Sequence, residues 1–183
     1  VQLLRLQQLT SGTAVIDMGE GPDGEVIRSA VEIDTSKAEA LREIIEGTDE
    51  PVVVFGVFRT DMMAVASVGG DQVAELSGRV DELADWQAGR KRILAVQIAT
   101  GSEGIDLTRA RYAVYLSTGF NLGTYLQSEK RVHRPGQKKP VTYYHIVSRD
   151  TVDEKVRGAL RARHSVVGSI LSMISNPEPQ TTP

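Results

Sequence analysis

Apolar residues along the chain follow two alternating patterns, which together predict an α/β fold. Short, mostly apolar runs predict strands covered on both faces, as in a parallel sheet; they span residues 52–57, 73–76, 93–98, 112–116 and 141–147. Segments with apolar residues at helical spacing separate them; they span residues 34–47, 60–68, 81–88, 122–133 and 151–173. Strands that alternate with helices predict a doubly wound, mostly parallel sheet flanked by helices.

The first fifty residues depart from this alternation. Residues 1–9 carry apolar side chains at helical spacing, and two strand-like segments, 13–17 and 25–33, flank a Gly-Pro-Asp-Gly turn at 21–24. The pattern predicts an N-terminal helix and a β-hairpin. We expect one lobe over residues 1–174, with 1–50 as an N-terminal extension, and a disordered proline-containing tail at 175–183. The abrupt start, without a methionine or a helix cap, suggests a domain cut from a longer protein.

Composition excludes several classes of protein. The 183 residues are 40% hydrophobic and 25% charged, which is ordinary for a globular domain. The apolar runs are too short to cross a bilayer, and no secretory signal is visible. No cysteine is present, so a disulfide scaffold and a thiolate metal site are excluded.

The charge is divided unevenly along the chain. Residues 1–89 contain 6 Lys or Arg against 17 Asp or Glu, whereas residues 90–183 contain 15 against 7. A basic second half is typical of proteins that bind an anionic partner, such as nucleic acid or polyphosphate. The alternative is two solvated faces that balance each other.

The predicted helix at 122–133 carries one row of polar groups. At 100° per residue, Arg131 lies about 40° and Arg134 about 20° from Gln127, opposite the apolar stripe. Pro135 disfavours helical backbone at Arg134, so the helix should end there. Two guanidinium groups and an amide in one row suit a phosphate group. The same spacing also occurs on ordinary solvated helices.

The loop at 99–107 follows a predicted buried strand and is rich in glycine and hydroxyl groups. Because ligands bind at the carboxyl ends of strands in open α/β sheets, this loop is a candidate binding site. Glycines would allow a phosphate to approach the backbone closely, and Asp106 could accept a hydrogen bond from a sugar or an arginine. The residues concerned are Thr100, Gly101, Ser102, Gly104 and Asp106. The alternative is an ordinary strand-to-helix turn.

Taken in order, these segments resemble the second-lobe motifs of superfamily 2 helicases, and among them the Swi/Snf-type DNA translocases, including the annealing-helicase-like branch. The stretch Gln127–Gln137 with the following Lys-Lys-Pro-Val, and its continuation through Tyr144–Val147 and Thr151–Glu154, is highly specific. The resemblance covers about residues 50–172. It implies a C-terminal RecA-like lobe that faces an N-terminal RecA-like lobe across an ATP site.

The resemblance also implies roles for the polar row. Arg134 would be the arginine finger against the γ-phosphate, Arg131 its companion and Gln127 the amide that positions both. Gly104 and Asp106 match the motif that couples nucleotide to DNA. With ATP and Mg²⁺ as the cofactors, the expected catalytic residues are therefore Arg134, Arg131 and Gln127, and Gly104, Asp106, Arg131 and Arg134 would bind the nucleotide.

The DNA contacts would lie outside this row. Thr100, Gly101 and Ser102 fall on the part of the loop that faces the DNA backbone in the family. If the arginines serve ATP, then Lys138 and Lys139 are the better candidates for further phosphate contacts. The partners expected are DNA, bound without regard to sequence, and the N-terminal lobe, with no membrane. We expect a cytoplasmic protein of a bacterium or virus, or a nuclear one in a eukaryote.

Three features depart from the Swi/Snf pattern. Asp106 stands where that group has Asn, residues 119–122 replace an aromatic-Trp-Asn-Pro segment, and the region between Gly78 and Arg92 is abbreviated. No Gly-xxxx-Gly-Lys-Ser/Thr phosphate-binding loop occurs in the chain. The groups that hold ATP and Mg²⁺ would thus lie on the other lobe, and the chain alone should be inactive.

Other residues have simpler interpretations. Trp86 is expected to pack in the core, and the three histidines lack metal-ligand spacing. Arg157, Arg161 and Arg163 form either a solvated face or a contact with DNA or the missing lobe.

Two other functions stay open: a non-catalytic nucleic-acid- or protein-binding module on a degenerate lobe, and a free-standing α/β enzyme. No acid–base or nucleophile constellation supports the latter.

Overall fold

The N-terminal segment forms a helix and a hairpin, as predicted. In the computed structural model, which describes residues 2–20, 22–100, 104–135, 137 and 139–175, and side chains through 166, helix α1 spans Gln2–Thr10. Strands β1 (Thr13–Glu20) and β2 (Val26–Glu32) pair antiparallel. Both faces of this hairpin are largely exposed. Of the expected tail at 175–183, Ser175 is the last residue of a helix, and residues 176–183 lie outside the described part of the chain.

The rest of the chain alternates between helices and strands, and every predicted element is present. The first part contains α2 (Ser36–Glu46), β3 (Val52–Gly56), α3 (Arg59–Gly69), a 3₁₀ turn (Gly70–Gln72), β4 (Val73–Leu76) and α4 (Leu83–Gln87). The second part contains β5 (Ile93–Gln97), β6 (Tyr112–Tyr115), α5 (Leu122–Val132), β7 (Thr142–His145) and α6 (Val152–Ser175). None of the described helices is long and apolar enough to cross a membrane.

The five strands β3 to β7 form one parallel sheet in the order β4-β5-β3-β6-β7. Because β3 is central, its alternate side chains point to opposite faces and enter two separate cores. Val53 and Phe55 pack with Trp86 of α4 and Val132 of α5. The other core holds residues of β3, α2 and α3, namely Val52, Val54, Leu41, Ile45, Met62 and Val65. Helices thus cover both faces, and the α/β prediction is confirmed.

The chain crosses the sheet after β5, and this crossing positions the candidate site. The loop at residues 98–111 leaves the carboxyl end of β5 and passes β3 to reach β6 on the far side. Its apolar residues Ile105, Leu107 and Ala110 are buried. A crossing of this kind is where open α/β sheets place their ligands.

A buried ion pair joins the N-terminal segment to the last helix. Lys37 at the start of α2 lies 2.5 Å from the Asp153 carboxylate of α6, and both side chains are mostly buried. Thr10 of α1 donates to the other oxygen of Asp153 at 2.7 Å. Separating these helices would leave a buried charge without its partner, which is strongly destabilising. The cluster therefore holds α1, α2 and α6 together.

Candidate functional site

Helix α5 carries the predicted polar row, and its start follows from local sequence. The side chain of Asn121 accepts a hydrogen bond from the Thr124 amide at 3.1 Å, as an N-cap does. The helix ends at Val132, two residues before the predicted end, because His133 already has extended backbone angles. Pro135 disfavours helical backbone at Arg134, and the helical backbone angles are already lost one residue earlier, at His133.

Arg131 does not lie on a solvent-facing side of α5. Its side chain is only 4% exposed, and its guanidinium Nη1 donates to the Thr100 carbonyl at 3.4 Å. The Arg131 carbonyl accepts from the Leu107 amide at 3.1 Å. Burial, and then the nearby charge of Arg134, lower the pKa of Arg131. The crossing loop therefore covers the middle of the polar row, which the helical pattern did not indicate.

Arg134 and Gln127 stay accessible on either side of Arg131. Gln127 is exposed and Arg134 is half-buried, with its Nε donating to the Lys130 carbonyl at 3.4 Å. The guanidinium of Arg134 is close enough to the carboxylate of Asp106 to lower its pKa, after the larger effect of hydrogen bonds from Thr108. The structure thus places Arg134 between the end of α5 and the crossing loop.

The crossing loop presents its carboxylate in a defined orientation. One oxygen of Asp106 accepts from the Thr108 amide at 2.8 Å and from the Thr108 hydroxyl at 2.7 Å. Gly104 has a φ of +95°, a left-handed conformation in which a side chain would be strained. Gly101 and Ser102 lie outside the described residues. Thr100 thus contacts Arg131, and Asp106 lies near Arg134, which joins the two motifs.

A second set of hydrogen bonds holds the chain after α5. The Gln137 side chain donates to the Thr108 carbonyl at 2.7 Å and accepts from Arg111 at 3.0 Å. Lys139 is exposed two residues later, and Lys138 lies outside the described residues. This anchorage limits how far the segment with Arg134 can move from Asp106.

A buried carboxylate organises the neighbouring end of β3. One oxygen of Asp61 accepts from the amides of Val57 and Phe58, at 2.9 and 2.8 Å, and from the Ser117 hydroxyl at 2.5 Å. Burial raises the pKa of Asp61. These bonds tie the carboxyl end of β3 to that of β6, so the edge of the sheet that carries the site is rigid.

Sequence reasoning missed two basic residues at this edge of the sheet. Arg59 and Arg79 line an open cavity of about 470 Å³ together with Ser77, Gly78 and Gln97. Both arginines are exposed. Each follows the end of a parallel strand, β3 or β4, and this position was the available signal. They add positive charge beside Gln97, the last residue of β5.

Trp86 packs in the core, as expected. Trp86 is fully buried, and its indole donates to the Arg92 carbonyl at 3.1 Å. Arg109 stacks over its ring at 5.0 Å. Within the part of the chain that the structure describes, no three His, Asp or Glu side chains form a group able to hold a metal ion.

The chain matches a known protein family. Residues 36–136, more than half of the chain, match the family described as helicase conserved C-terminal domain. The chain is similar to chromatin-remodeling ATPase INO80 of Mycosarcoma maydis, with 31% identity over 97 residues, and of Drosophila melanogaster, with 30% over 104. The matches cover 52% and 56% of this chain but only 5% and 6% of those proteins.

A solved structure shares the fold. The C-terminal part of the Fun30 ATPase domain superposes with a TM-score of 0.59 and 22% identity, over 68% of this chain and 44% of that one. At this identity, the likeness concerns the arrangement of helices and strands.

Proposed function

The chain belongs to the helicase conserved C-terminal domain family, and we propose that it is the second motor lobe of an ATP-dependent DNA translocase of the Swi/Snf type. One observation carries the proposal: Arg131, bonded to the Thr100 carbonyl of the crossing loop, lies near Arg134, and the charge of Arg134 acts on Asp106 of the same loop. Binding alone does not require two close guanidinium groups held at a helix end by a loop from another strand. The similarity to chromatin-remodeling ATPases supports the same group.

In this proposal the arginines have different tasks. Arg134 is accessible and donates to the γ-phosphate of ATP bound on the facing lobe, where it stabilises the charge that develops in the transition state. Arg131, which donates to the Thr100 carbonyl, holds the end of α5 against the crossing loop. Its positive charge acts on the phosphate from the buried side of the site. Gln127 lies one turn before Arg131 and positions the two arginines.

The residues present fit the terminal phosphates of ATP rather than the whole cofactor. Guanidinium groups bind phosphate oxygens, often in pairs, whereas the described residues form no acidic group for a cation. Mg²⁺ bridges the phosphates and neutralises their charge in such enzymes. In the proposal its ligands come from the other lobe.

The DNA-binding part of the proposal rests on three groups of residues: the hydroxyl-bearing loop after β5, the arginines that follow β3 and β4, and the lysines that precede β7. The loop that includes Thr100, Gly101 and Ser102 follows β5, and Lys138 and Lys139 follow the end of α5. Arg59 and Arg79 join them from β3 and β4. Such groups bind the phosphate backbone without reading base sequence. This is what translocation along any DNA requires.

The test is DNA-stimulated ATP hydrolysis by this chain joined to a Walker-type N-terminal lobe. We expect turnover that rises with duplex or forked DNA, and negligible turnover from residues 1–183 alone. A two-lobe protein that binds DNA but hydrolyses no ATP would support the alternative, a non-catalytic module on a degenerate lobe. Helicase-like turnover by residues 1–183 alone would contradict the assignment of ATP to the interface between lobes.

A further inference from the structure

A small cavity lies between α5 and α6, away from the arginines of the proposed motor site. Its volume is about 70 Å³, which corresponds to roughly five water-sized spheres. Tyr125 and Glu129 line it from α5, and at 100° per residue each is about 160° from Gln127 around that helix. The cavity therefore opens on the opposite side of α5 from the polar row.

Two arginines of α6 form the basic wall of this cavity. Arg157 and Arg161 are four residues apart, so they occupy adjacent turns on one side of the helix. Arg157 is half-buried and Arg161 is exposed at the rim. Among the described residues, no carboxylate oxygen lies within 4.0 Å of either guanidinium. Burial, and then the charge of Arg161, lower the pKa of Arg157.

The opposite wall does not neutralise this charge. The Glu129 carboxylate accepts a hydrogen bond from the Tyr125 hydroxyl at 2.8 Å. His145 stacks on Tyr115 with ring centroids 4.6 Å apart. Burial, with the two arginines, lowers its pKa to about 4, so it is neutral at pH 7. The two arginines thus face one carboxylate in the lining, which Thr118 completes.

Two like charges on adjacent helical turns destabilise a helix, and partial burial of one adds to the cost. An anion in the cavity would offset both the repulsion between the two guanidinium groups and the cost of burying one of them. We propose that this cavity binds one oxyanion of the phosphate class, held by Arg157 and Arg161 from α6. The source is either a free phosphate group or a phosphate of a nucleic-acid backbone. The proposal is independent of the motor function, because it uses none of the residues assigned to ATP.

The test is a titration of ¹⁵N-labelled residues 1–183 with sodium phosphate at constant ionic strength, followed by amide chemical shifts. We expect saturable shifts at Thr118, His145 and Arg157. The variant with Arg157→Gln and Arg161→Gln should bind at least about tenfold more weakly, since it loses two charge-assisted hydrogen bonds. The matched control is Arg163→Gln on the same helix, whose guanidinium faces the Phe120 carbonyl. It should bind as the parent does.

A second titration uses a short oligonucleotide without terminal phosphates. Shifts at the same residues with this ligand alone would assign the site to a backbone phosphate, whereas shifts with phosphate alone would assign it to a free phosphate group. The proposal would be overturned if neither ligand caused a saturable shift. It would also be overturned if Arg163→Gln lost as much phosphate affinity as the double variant. If the double variant does not fold, Arg161→Gln, which changes an exposed residue, replaces it in the titration and should also bind phosphate more weakly than the parent. ATPase activity of the two-lobe protein without DNA should not change in these variants.

Discussion

The basic half of the chain holds two pairs of arginines on neighbouring helices, and their surroundings differ. At the end of α5, Arg131 is buried and bonded to the Thr100 carbonyl, and the accessible Arg134 lies near Asp106. On α6, Arg157 and Arg161 line an open cavity without a carboxylate within 4.0 Å among the described residues. The first pair is part of the protein's own hydrogen-bonding network. The second pair leaves its donors available.

This difference shows that the spacing of arginines does not determine their role. Both pairs would be interpreted from sequence as charged positions on one side of a helix. The crossing loop covers Arg131 of the first pair, because the Arg131 guanidinium donates to the Thr100 carbonyl and the Arg131 carbonyl accepts from the Leu107 amide. The second pair lines a cavity instead, while Val156 and Leu160 of the same helix are buried.

The largest expected effect is on catalysis. In the two-lobe protein, Arg134→Ala should lower kcat by roughly 10³-fold, as removal of other arginine fingers does. KM for ATP should change far less, because the interaction acts mainly in the transition state. Steady-state ATPase kinetics measure both constants. Arg161→Ala is the control from the second pair, and equal kcat values in the two variants would abolish the distinction between the pairs.

The free energy of unfolding should also depend more on the first pair of arginines than on the second. Arg131→Ala removes a buried donor from the Thr100 carbonyl and should lower the free energy of unfolding by about 1–3 kcal/mol. Arg161→Ala is at an exposed position and should stay within about 0.5 kcal/mol of the parent. Urea unfolding of residues 1–183 measures both. An unchanged midpoint in Arg131→Ala would mean that the loop does not depend on this side chain.

The histidine beside the second pair reports its charge. His145 has a pKa of about 4 in the folded protein, against an ordinary 6.5, because of burial and then Arg157 and Arg161. Arg157→Gln should raise the His145 pKa, and Arg134→Gln should leave it unchanged. An NMR titration of the imidazole measures this. A His145 pKa that does not move in Arg157→Gln would place the guanidinium away from the ring.

The same residue predicts a pH dependence of stability. The folded protein binds a proton at His145 less readily than the unfolded chain does. Its contribution to stability is therefore complete above about pH 6.5 and is lost as the pH falls towards 4. Unfolding free energies measured between pH 7 and 5 should fall more in the parent than in His145→Gln. Parallel curves for the two proteins would contradict this.

The smallest expected effect concerns the lysines after α5. In the two-lobe protein, each lysine that neutralises a DNA phosphate adds about 0.9 to the slope of log affinity against log salt. Lys138→Ala with Lys139→Ala should therefore flatten that slope and weaken binding to all DNA sequences alike. ATPase activity without DNA should stay near the parent value. Filter binding at several salt concentrations measures the slope, and an unchanged slope would mean that these lysines are only solvated.

Much of the fold could be predicted because its signals are local. The apolar run at 52–56 had to be covered on both faces, and it became the central strand β3. The apolar pattern at 122–133 and Pro135 marked the region of α5 to within two residues. The glycine-rich turn predicted the hairpin. Its largely exposed faces could not be predicted, because alternation of side chains does not say whether another layer covers them.

By itself, the sequence determined the alternation of strands and helices, the family resemblance and the identity of the candidate phosphate-binding groups, since each depends on residues close together in the chain. Only the tertiary structure decided which arginine is buried. Thr100 and Arg131 meet although 31 positions separate them. It also decided that Arg157 and Arg161 face Glu129 and His145 across a cavity. Burial and charge pairing depend on which distant segments pack together, and a periodic pattern along one helix carries no information about its neighbours.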